Sequence, residues 1–423
     1  MSHPSSFSIG IVGLGYVGLP LAKLFLEKGH TVHGIDIDAN RVNSLLKRQT
    51  YLSDFSRSDV KDMFTKNSFF VSSSFESIEH VDAVLICVPT PLTENHEPDL
   101  NYVIGAIKST LPYLQPGQLI VLESSTFPGT VDNILLPLIE SEGFVVGRDV
   151  LLAYSPERID PGSHWKLEDI PKIVGGVTSI CTERARQIYE SAFSNVVVVS
   201  SPRVAEMTKL LENSQRFINI SFMNSLVALC EAMNINLWEV IDAAGTKPYG
   251  FMKYYPGPGI GGHCIPVDPI YLLWAAKNYE MELPFIELSQ QVNDKMPEYV
   301  MEKVKRHLAK STDGNHILII GVTYKKNVND IRESSAPTII AGLLESGYKV
   351  SYHDPYVEEL QIGDYQLKST PLTARNMKNY ACTVILTDHS HIPYELLVAH
   401  SPLVIDFRNA TKHLKDRNNV IVL

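Results

Sequence analysis

No stretch of this chain reaches the roughly 18–20 consecutive apolar residues that a membrane helix needs. Its first residues, Met1 to Phe7, lack a basic segment followed by an apolar core, so no secretory signal is expected. Cysteine is scarce: five residues, odd in number, scattered and without CxxC pairing. That excludes a disulfide framework and fits reduced thiols in a cytoplasm. Histidines and cysteines also lack zinc-ligand spacing, so no metal is expected. Positive charge is in deficit, with 37 Lys and Arg against 47 Asp and Glu and a formal net charge of −10. This argues against a nucleic-acid partner but leaves room for a local basic pocket. No low-complexity run or short-period repeat is visible, and 423 residues suggest two or three domains.

What is present begins with Ile9-Gly10-Ile11-Val12 running into Gly13-x-Gly15-x-x-Gly18. An apolar-periodic helix follows through Lys28, Gly29 ends it, and Thr31 to Asp36 reads as the next strand. Gly13 permits the tight turn, Gly15 lets a pyrophosphate reach backbone N–H groups, and Gly18 lets the helix pack on the strand. The positive end of the helix then faces the phosphates, with Tyr16 and Val17 shielding them. Asp36 can accept hydrogen bonds from a ribose 2′-hydroxyl while repelling a 2′-phosphate, which favours NAD over NADP. Arg41 lies farther along the following helix and is counted with this cofactor set.

Short apolar strands alternating with helical segments over the first part of the chain imply a parallel sheet. Val81 to Val88 ends at Pro89 and Thr90, and Gln118 to Leu122 leads to Thr126. Ligands in such sheets lie outside the carboxyl ends of strands, so Pro89, Thr90 and Thr126 are placed to line the cofactor site. From Arg203 to about Met233 there is neither proline nor glycine, which predicts one long helix, with more helix through Trp238 to Ala244. A second strand series starts at His316 and lacks the glycine fingerprint, so it should hold a different ligand. The expected fold is α/β, two doubly wound Rossmann-like domains joined by a central long-helix domain, with bounds 1–201, 202–310 and 311–423. A long helix between sheet domains also suggests a homodimer or higher homo-oligomer.

Between the last two parts, residues 254–269 surround Cys264 with four glycines and four prolines and place Asp268 four positions later. Glycine allows close backbone approach and proline stiffens the turns, as a positioned thiol nucleophile requires. A cysteine that merely fills a tight loop is the plain alternative. His263 is adjacent, but neighbouring side chains on extended chain point to opposite sides, which argues against its being the base.

The ordered set GxGxxGxP, Glu123-Ser-Ser-Thr126, Ser155-Pro156-Glu157, Lys209-x-x-x-Asn213, GGHC-x-P-x-D, and Tyr324-Lys325-Lys326 followed by Asp330-Ile331-Arg332-Glu333-Ser334 resembles the nucleotide-sugar 6-dehydrogenases, the UDP-glucose/UDP-mannose dehydrogenase family. The resemblance covers essentially the whole chain. Pro256 to Gly259, Thr246 to Gly250 and Glu157 to Gly162 are most similar to the branch acting on N-acetylhexosamines, the UDP-GlcNAc 6-dehydrogenases above all. It implies oxidation of a UDP-hexose at C6 from alcohol to carboxylate with two NAD⁺. UDP-GlcNAc comes first as substrate, UDP-ManNAc second, and UDP-GalNAc or UDP-glucose behind. A non-catalytic nucleotide-sugar or dinucleotide sensor on the same fold is the competing class.

By this resemblance Cys264 traps the aldehyde as a thiohemiacetal and carries the later thioester. Lys209 and Asn213, four apart on one helix face, stabilise the oxyanion. Asp268 assists proton transfer through an ordered water with Thr126, and Glu157 serves thioester hydrolysis near the sugar. Asp268 before Pro269 equally suits a helix cap. The glucose branch has a further glutamate where this chain has Pro161, and the segment from Arg158 to Gly162 could accommodate an N-acetyl group. Tyr254, Tyr255, Gly257, Gly259, Gly261 and Lys325 are expected to line the UDP-sugar. Arg332 is expected to reach the cofactor, and Lys247 to enter a neighbouring subunit's site.

If Asp36 reads the ribose, kcat/KM should strongly favour NAD⁺ over NADP⁺ in initial-rate assays; equal values would show the contact to be misassigned.

Overall fold

The structure, a computed structural model, describes residues 6–52, 55–159, 165–262, 264–309 and 314–423. Its contact pattern divides the chain into two units, Met1–Glu212 with Ile270–Met281, and Asn213–Pro269 with Glu282–Leu423. The first carries an eight-stranded sheet of β1 (Ser8–Val12), β2 (Thr31–Ile35), β3 (Phe69–Ser72), β4 (Ala83–Ile86), β5 (Leu119–Leu122), β6 (Leu151–Tyr154), β7 (Lys172–Gly176) and β8 (Val196–Val198). Its spatial order is β3-β2-β1-β4-β5-β6-β7-β8. β4, β5 and β6 are buried at every residue, as strands covered by helices on both faces must be.

One pairing departs from the parallel expectation. β7 runs antiparallel to β6, with Ala153 opposite Gly176 and Tyr154 opposite Gly175. Among the described residues between these strands the helical element is a short 3₁₀ turn at Leu167–Asp169, whereas a parallel return needs a crossover of a dozen or more residues, usually a helix.

The second unit holds β9 (His316–Ile320), β10 (Lys349–His353), β13 (Cys382–Ile385), β14 (Val404–Asp406) and β15 (Val420–Val422) in the order β10-β9-β13-β14-β15, all parallel. A separate hairpin pairs β11 (Glu359–Ile362) with β12 (Tyr365–Lys368). Its core gathers Val300, Ile317, Ile339, Tyr352 and Phe407 between strands and helices.

Both sheets reverse their winding beside the first strand of their own series, between β1 and β4 and between β9 and β13. The loops leaving those strand ends diverge and open a crevice. The two sheets also share a turn. Gly13, at φ 92°, donates its N–H to Ile35 O at 2.8 Å, and Leu14 N donates to Asp36 Oδ2 at 2.8 Å. Gly321, at φ 80°, donates to His353 O at 2.9 Å, and Val322 N donates to Asp354 Oδ2 at 2.7 Å.

A long helix, Pro202–Ala232, supplies residues to both units. Proline suits its first position because that N–H has no partner within a helix. Asn234 in the left-handed region (φ 55°) and a bond from Ile235 N to Cys230 O at 2.8 Å end it as a Schellman turn. Among the described residues no helix is long and apolar enough to cross a membrane.

Candidate active site

The turn after β1 is tight beneath and open above. A Cβ on Gly13 would stand 2.7 Å from Cys87 O, and one on Gly18 only 1.9 Å from Gly13 O. On Gly15 the nearest atom would be Arg41 Nη1 at 4.0 Å, which leaves room for a phosphate to approach the backbone. The helix Gly18–Glu27 has no acidic residue in its first turn, so its positive end is not neutralised there. Asp36 is 5% exposed, and its Oδ1 accepts from Asp38 N at 2.9 Å. These residues fit a dinucleotide.

Arg41 is nearer to Asp36 than its place along the chain suggests. Its Nη1 lies 3.3 Å from Asp36 Oδ2 and its Nε 3.6 Å from Asp38 Oδ2. Two carboxylates therefore share one guanidinium, and the local balance stays unfavourable to a 2′-phosphate. Tyr16 is exposed and Val17 half-buried on this loop.

At the ends of β4 to β6 the other residues of the first unit gather. Tyr271 donates its hydroxyl to Thr90 O at 2.6 Å and fixes the strand end behind the exposed Pro89. Thr130 donates to Phe127 O at 2.8 Å, so in the 2.6 Å contact between Thr126 and Thr130 the proton comes from Thr126. Lys209 reaches from the long helix to Glu157, donating to its backbone O at 2.7 Å. Glu157 Oε1 accepts from the N–H groups of Arg158 (2.6 Å) and Ile159 (2.7 Å). Arg158 is engaged by Glu212 through Nε (3.1 Å) and Nη2 (2.5 Å) and by Pro171 O through Nη1 (2.8 Å). Its charge secures the segment after β6 to the long helix.

In the second unit, Cys264 is half-buried and its carbonyl accepts from Asp268 N at 2.8 Å. Asp268 opens the helix Asp268–Lys277 and is 1% exposed; Asn213 Nδ2 donates to its Oδ2 at 2.5 Å. The spacing of Asn213 on its helix thus ends on the carboxylate four residues beyond the cysteine. Gly262, at φ 93°, donates to Arg332 O at 3.0 Å, and a Cβ there would strike the Tyr324 ring at 2.7 Å. His263 and Asp160 to Gly162 lie outside the described residues.

A crevice at the reversal between β9 and β13 is lined by Pro258, Gly259, Gly261, Tyr324, Thr387 and Arg408. Lys325, next in sequence to the lining Tyr324, is half-buried, and its backbone O accepts from Thr323 Oγ1 at 2.9 Å. The sequence reading missed Arg408. It is partly buried, donates through Nε to Leu386 O at 2.9 Å, and would stand 2.6 Å from a Cβ on Gly257. The available signal was an arginine two residues past a strand end in a doubly wound domain.

Other residues expected at the ligands have protein partners within this unit. Tyr255 donates to Asp242 at 2.5 Å and stacks on Trp238, and Tyr254 donates to Gln215 at 2.9 Å. Lys247 is exposed with its ammonium over the Tyr249 ring, and Arg332 is paired with Asp330 at 2.6 Å. Among the described residues no group of three or more His, Cys, Asp or Glu could hold a metal ion.

Comparison with known proteins gives three matches in chain order. Models of the UDP-glucose/GDP-mannose dehydrogenase family match residues 7–193 (NAD binding domain), 203–295 (central domain) and 318–413 (UDP binding domain). The UDP-N-acetyl-D-mannosamine dehydrogenase of Methanocaldococcus jannaschii is 36% identical over 360 residues, 83% of this chain and 80% of that protein. The UDP-N-acetyl-mannosamine dehydrogenase Cap5O of Staphylococcus aureus superposes with a TM-score of 0.83 at 32% identity, covering 98% of this chain and 97% of that one. The UDP-D-ManNAc dehydrogenase of Pyrococcus horikoshii does so at 0.88 and 28% identity, covering 98% of each chain.

One buried acid near Lys209 titrates in an unusual range. Glu206, one helical turn earlier, accepts from Gly129 N (2.6 Å) and Val131 N (3.0 Å). Burial pushes its carboxyl up to about 7 against those two amides. The folded state therefore holds a proton that the unfolded state gives up at lower pH, and stability falls as pH rises from about 4.5 to 7. Glu206→Gln lacks this response. The melting temperature of the variant relative to wild type should rise between pH 5 and 8, corresponding to up to about 3 kcal/mol; a difference independent of pH contradicts the assignment.

Proposed function

The chain belongs to the UDP-glucose/GDP-mannose dehydrogenase family and is an NAD-dependent UDP-sugar dehydrogenase, and from that premise we propose that it oxidises UDP-N-acetyl-D-mannosamine at C6 to the uronate. Enzymatic membership sets aside the non-catalytic sensor. The reading of the residues put UDP-GlcNAc first and UDP-ManNAc second; the names of the relatives favour the second. The two sugars differ only in configuration at C2, and no motif in the chain reports that configuration directly.

The arrangement that supports the chemistry is Asn213 on Asp268, with Asp268 N on the carbonyl of Cys264. The Gly13 to Gly18 turn, Asp36, Pro89 and Thr90 would hold NAD, which would supply the hydride acceptor. Arg332 is the further residue proposed to reach it. Asp268, with Thr126 and a water, takes the proton of the C6 hydroxyl in the first oxidation. The Cys264 thiolate then adds to the aldehyde carbon to give a thiohemiacetal. Lys209 and Asn213 stabilise the oxygen of each tetrahedral species. Oxidation of the adduct leaves a thioester, and Glu157 activates the water that releases the acid.

Lys325, Arg408 and the backbone of Gly257, Gly259 and Gly261 would hold the UDP moiety in the crevice of the second sheet. Cations and bare amides suit phosphate oxygens. The long helix leaves Leu211, Phe222 and Leu229 more than half exposed, which supports a homodimer or higher homo-oligomer formed on that helix.

A panel of UDP-sugars with NAD⁺, read by initial rates and product mass, tests the substrate. kcat/KM for UDP-ManNAc should exceed that for UDP-GlcNAc by roughly tenfold or more. The reverse order assigns UDP-GlcNAc, and an equal value for UDP-glucose would contradict recognition of the acetamido group.

A further inference from the structure

The first unit buries an ion pair, Lys172 with Glu123, that the scheme above does not use. Lys172, the first residue of β7, is 3% exposed. Its ammonium donates to Glu123 Oε2 at 2.5 Å, to Pro156 O at 3.3 Å and to Glu157 Oε2 at 3.4 Å. Glu123, just past the end of β5, is 1% exposed, and its other oxygen accepts from the hydroxyl of the fully buried Tyr189. Burial disfavours the ammonium, but Glu123 and Glu157 outweigh it and hold its pKa above the ordinary value. A buried ion pair adds little net stability over apolar residues of the same volume, so stability alone does not account for this one.

The partners of Glu157 show what the cluster does. Two backbone N–H groups fix Oε1, and Lys172 faces Oε2, so the plane of the carboxylate is defined from both sides. A lysine carries a point charge on a flexible stem and orients nothing unless it is itself held. Glu123 holds it, and Tyr189 holds Glu123.

We propose that Lys172, anchored by Glu123 and Tyr189, is a positioning residue for Glu157 that acts in release of the acid and not in the two oxidations. The inference rests on the reading of Glu157 as the base for thioester hydrolysis. In that step the water oxygen adds to the acyl carbon, the C–S bond breaks, Cys264 leaves as thiolate and the water proton passes to Glu157. No electrons change hands. Lys172 touches neither water nor the acyl carbon; it fixes the carboxylate that does the work, so its loss should separate the oxidative phase from release.

The test mixes enzyme with UDP-ManNAc and excess NAD⁺ and follows NADH together with intact-protein mass. If the panel above selects another UDP-sugar, that sugar is used. Glu157→Gln is the reference, and the double variant Glu123→Gln with Lys172→Met is the probe, because it removes the cation together with the carboxylate that anchors it and leaves the summed charge of that pair unchanged. Both should give a rapid phase of two NADH per site, a steady state slowed roughly tenfold or more, and an acyl group on Cys264. Lys172→Arg alone, which keeps both the cation and its Glu123 anchor, should recover most of the steady-state rate. If Glu157→Gln accumulates the acyl-enzyme and the probe does not, the role of Lys172 is overturned while that of Glu157 stands. If Glu157→Gln itself accumulates none, the reading of Glu157 fails and this inference with it. A probe that slows both phases equally without an acyl-enzyme also overturns it. Should the probe not fold, Tyr189→Phe loosens the same anchor: an acyl-enzyme fraction above wild type supports the proposal, and a wild-type fraction overturns it.

Discussion

A carboxylate at the end of the second strand of each series, accepting the N–H of the residue after the first strand's glycine, organises both sheets. Asp36 does this for Leu14 and Asp354 for Val322. The bond fixes the first strand-to-helix turn at the reversal of winding, where a doubly wound sheet binds its ligands. What differs is the cover over the acid. Asp36 keeps a polar edge shared with the partly exposed Arg41 and the N–H of Asp38. Asp354 is buried under His389, whose Nε2 lies 3.0 Å away, while Asn327 N donates to Nδ1 at 2.9 Å. With an imidazole over it, that acid is closed to a ribose. The same turn thus serves a dinucleotide in one unit and leaves the other unit's crevice to the residues around Arg408.

The period of the long helix sends successive turns to different partners. Lys209 is committed to the loop after β6 and Asn213, one turn later, to the carboxylate beyond the cysteine. A helix holds such residues more rigidly than loops do, which suits groups that must meet a charge as it develops. Replacing either residue would disturb its tether as well as the donor it offers, an ammonium for Lys209 and an amide for Asn213.

The sequence made the doubly wound series legible because buried parallel strands read as short apolar runs. The long helix was legible because an uninterrupted apolar period admits no other reading. The antiparallel β7 was not, since Lys172-Ile-Val-Gly-Gly carries no mark of direction. Within the candidate site, motifs singled out Asn213 and Asp268 but not as partners, and their hydrogen bond stayed hidden along with Lys172 and Arg408. A lysine opening a strand and an arginine past one look like surface charge until the fold buries them. Position along the chain also misled at Arg41, which a helical turn brings back to Asp36.

The central claim is that one cysteine-centred site carries out both oxidations before anything is released. The most direct measurement is the ratio of NADH formed to UDP-uronate produced, with free aldehyde trapped by a carbonyl reagent during turnover. The account predicts two NADH per uronate and little trapped aldehyde, because the thiohemiacetal keeps the intermediate on the enzyme. One NADH per sugar with quantitative release of aldehyde would contradict it and make this chain a two-electron dehydrogenase.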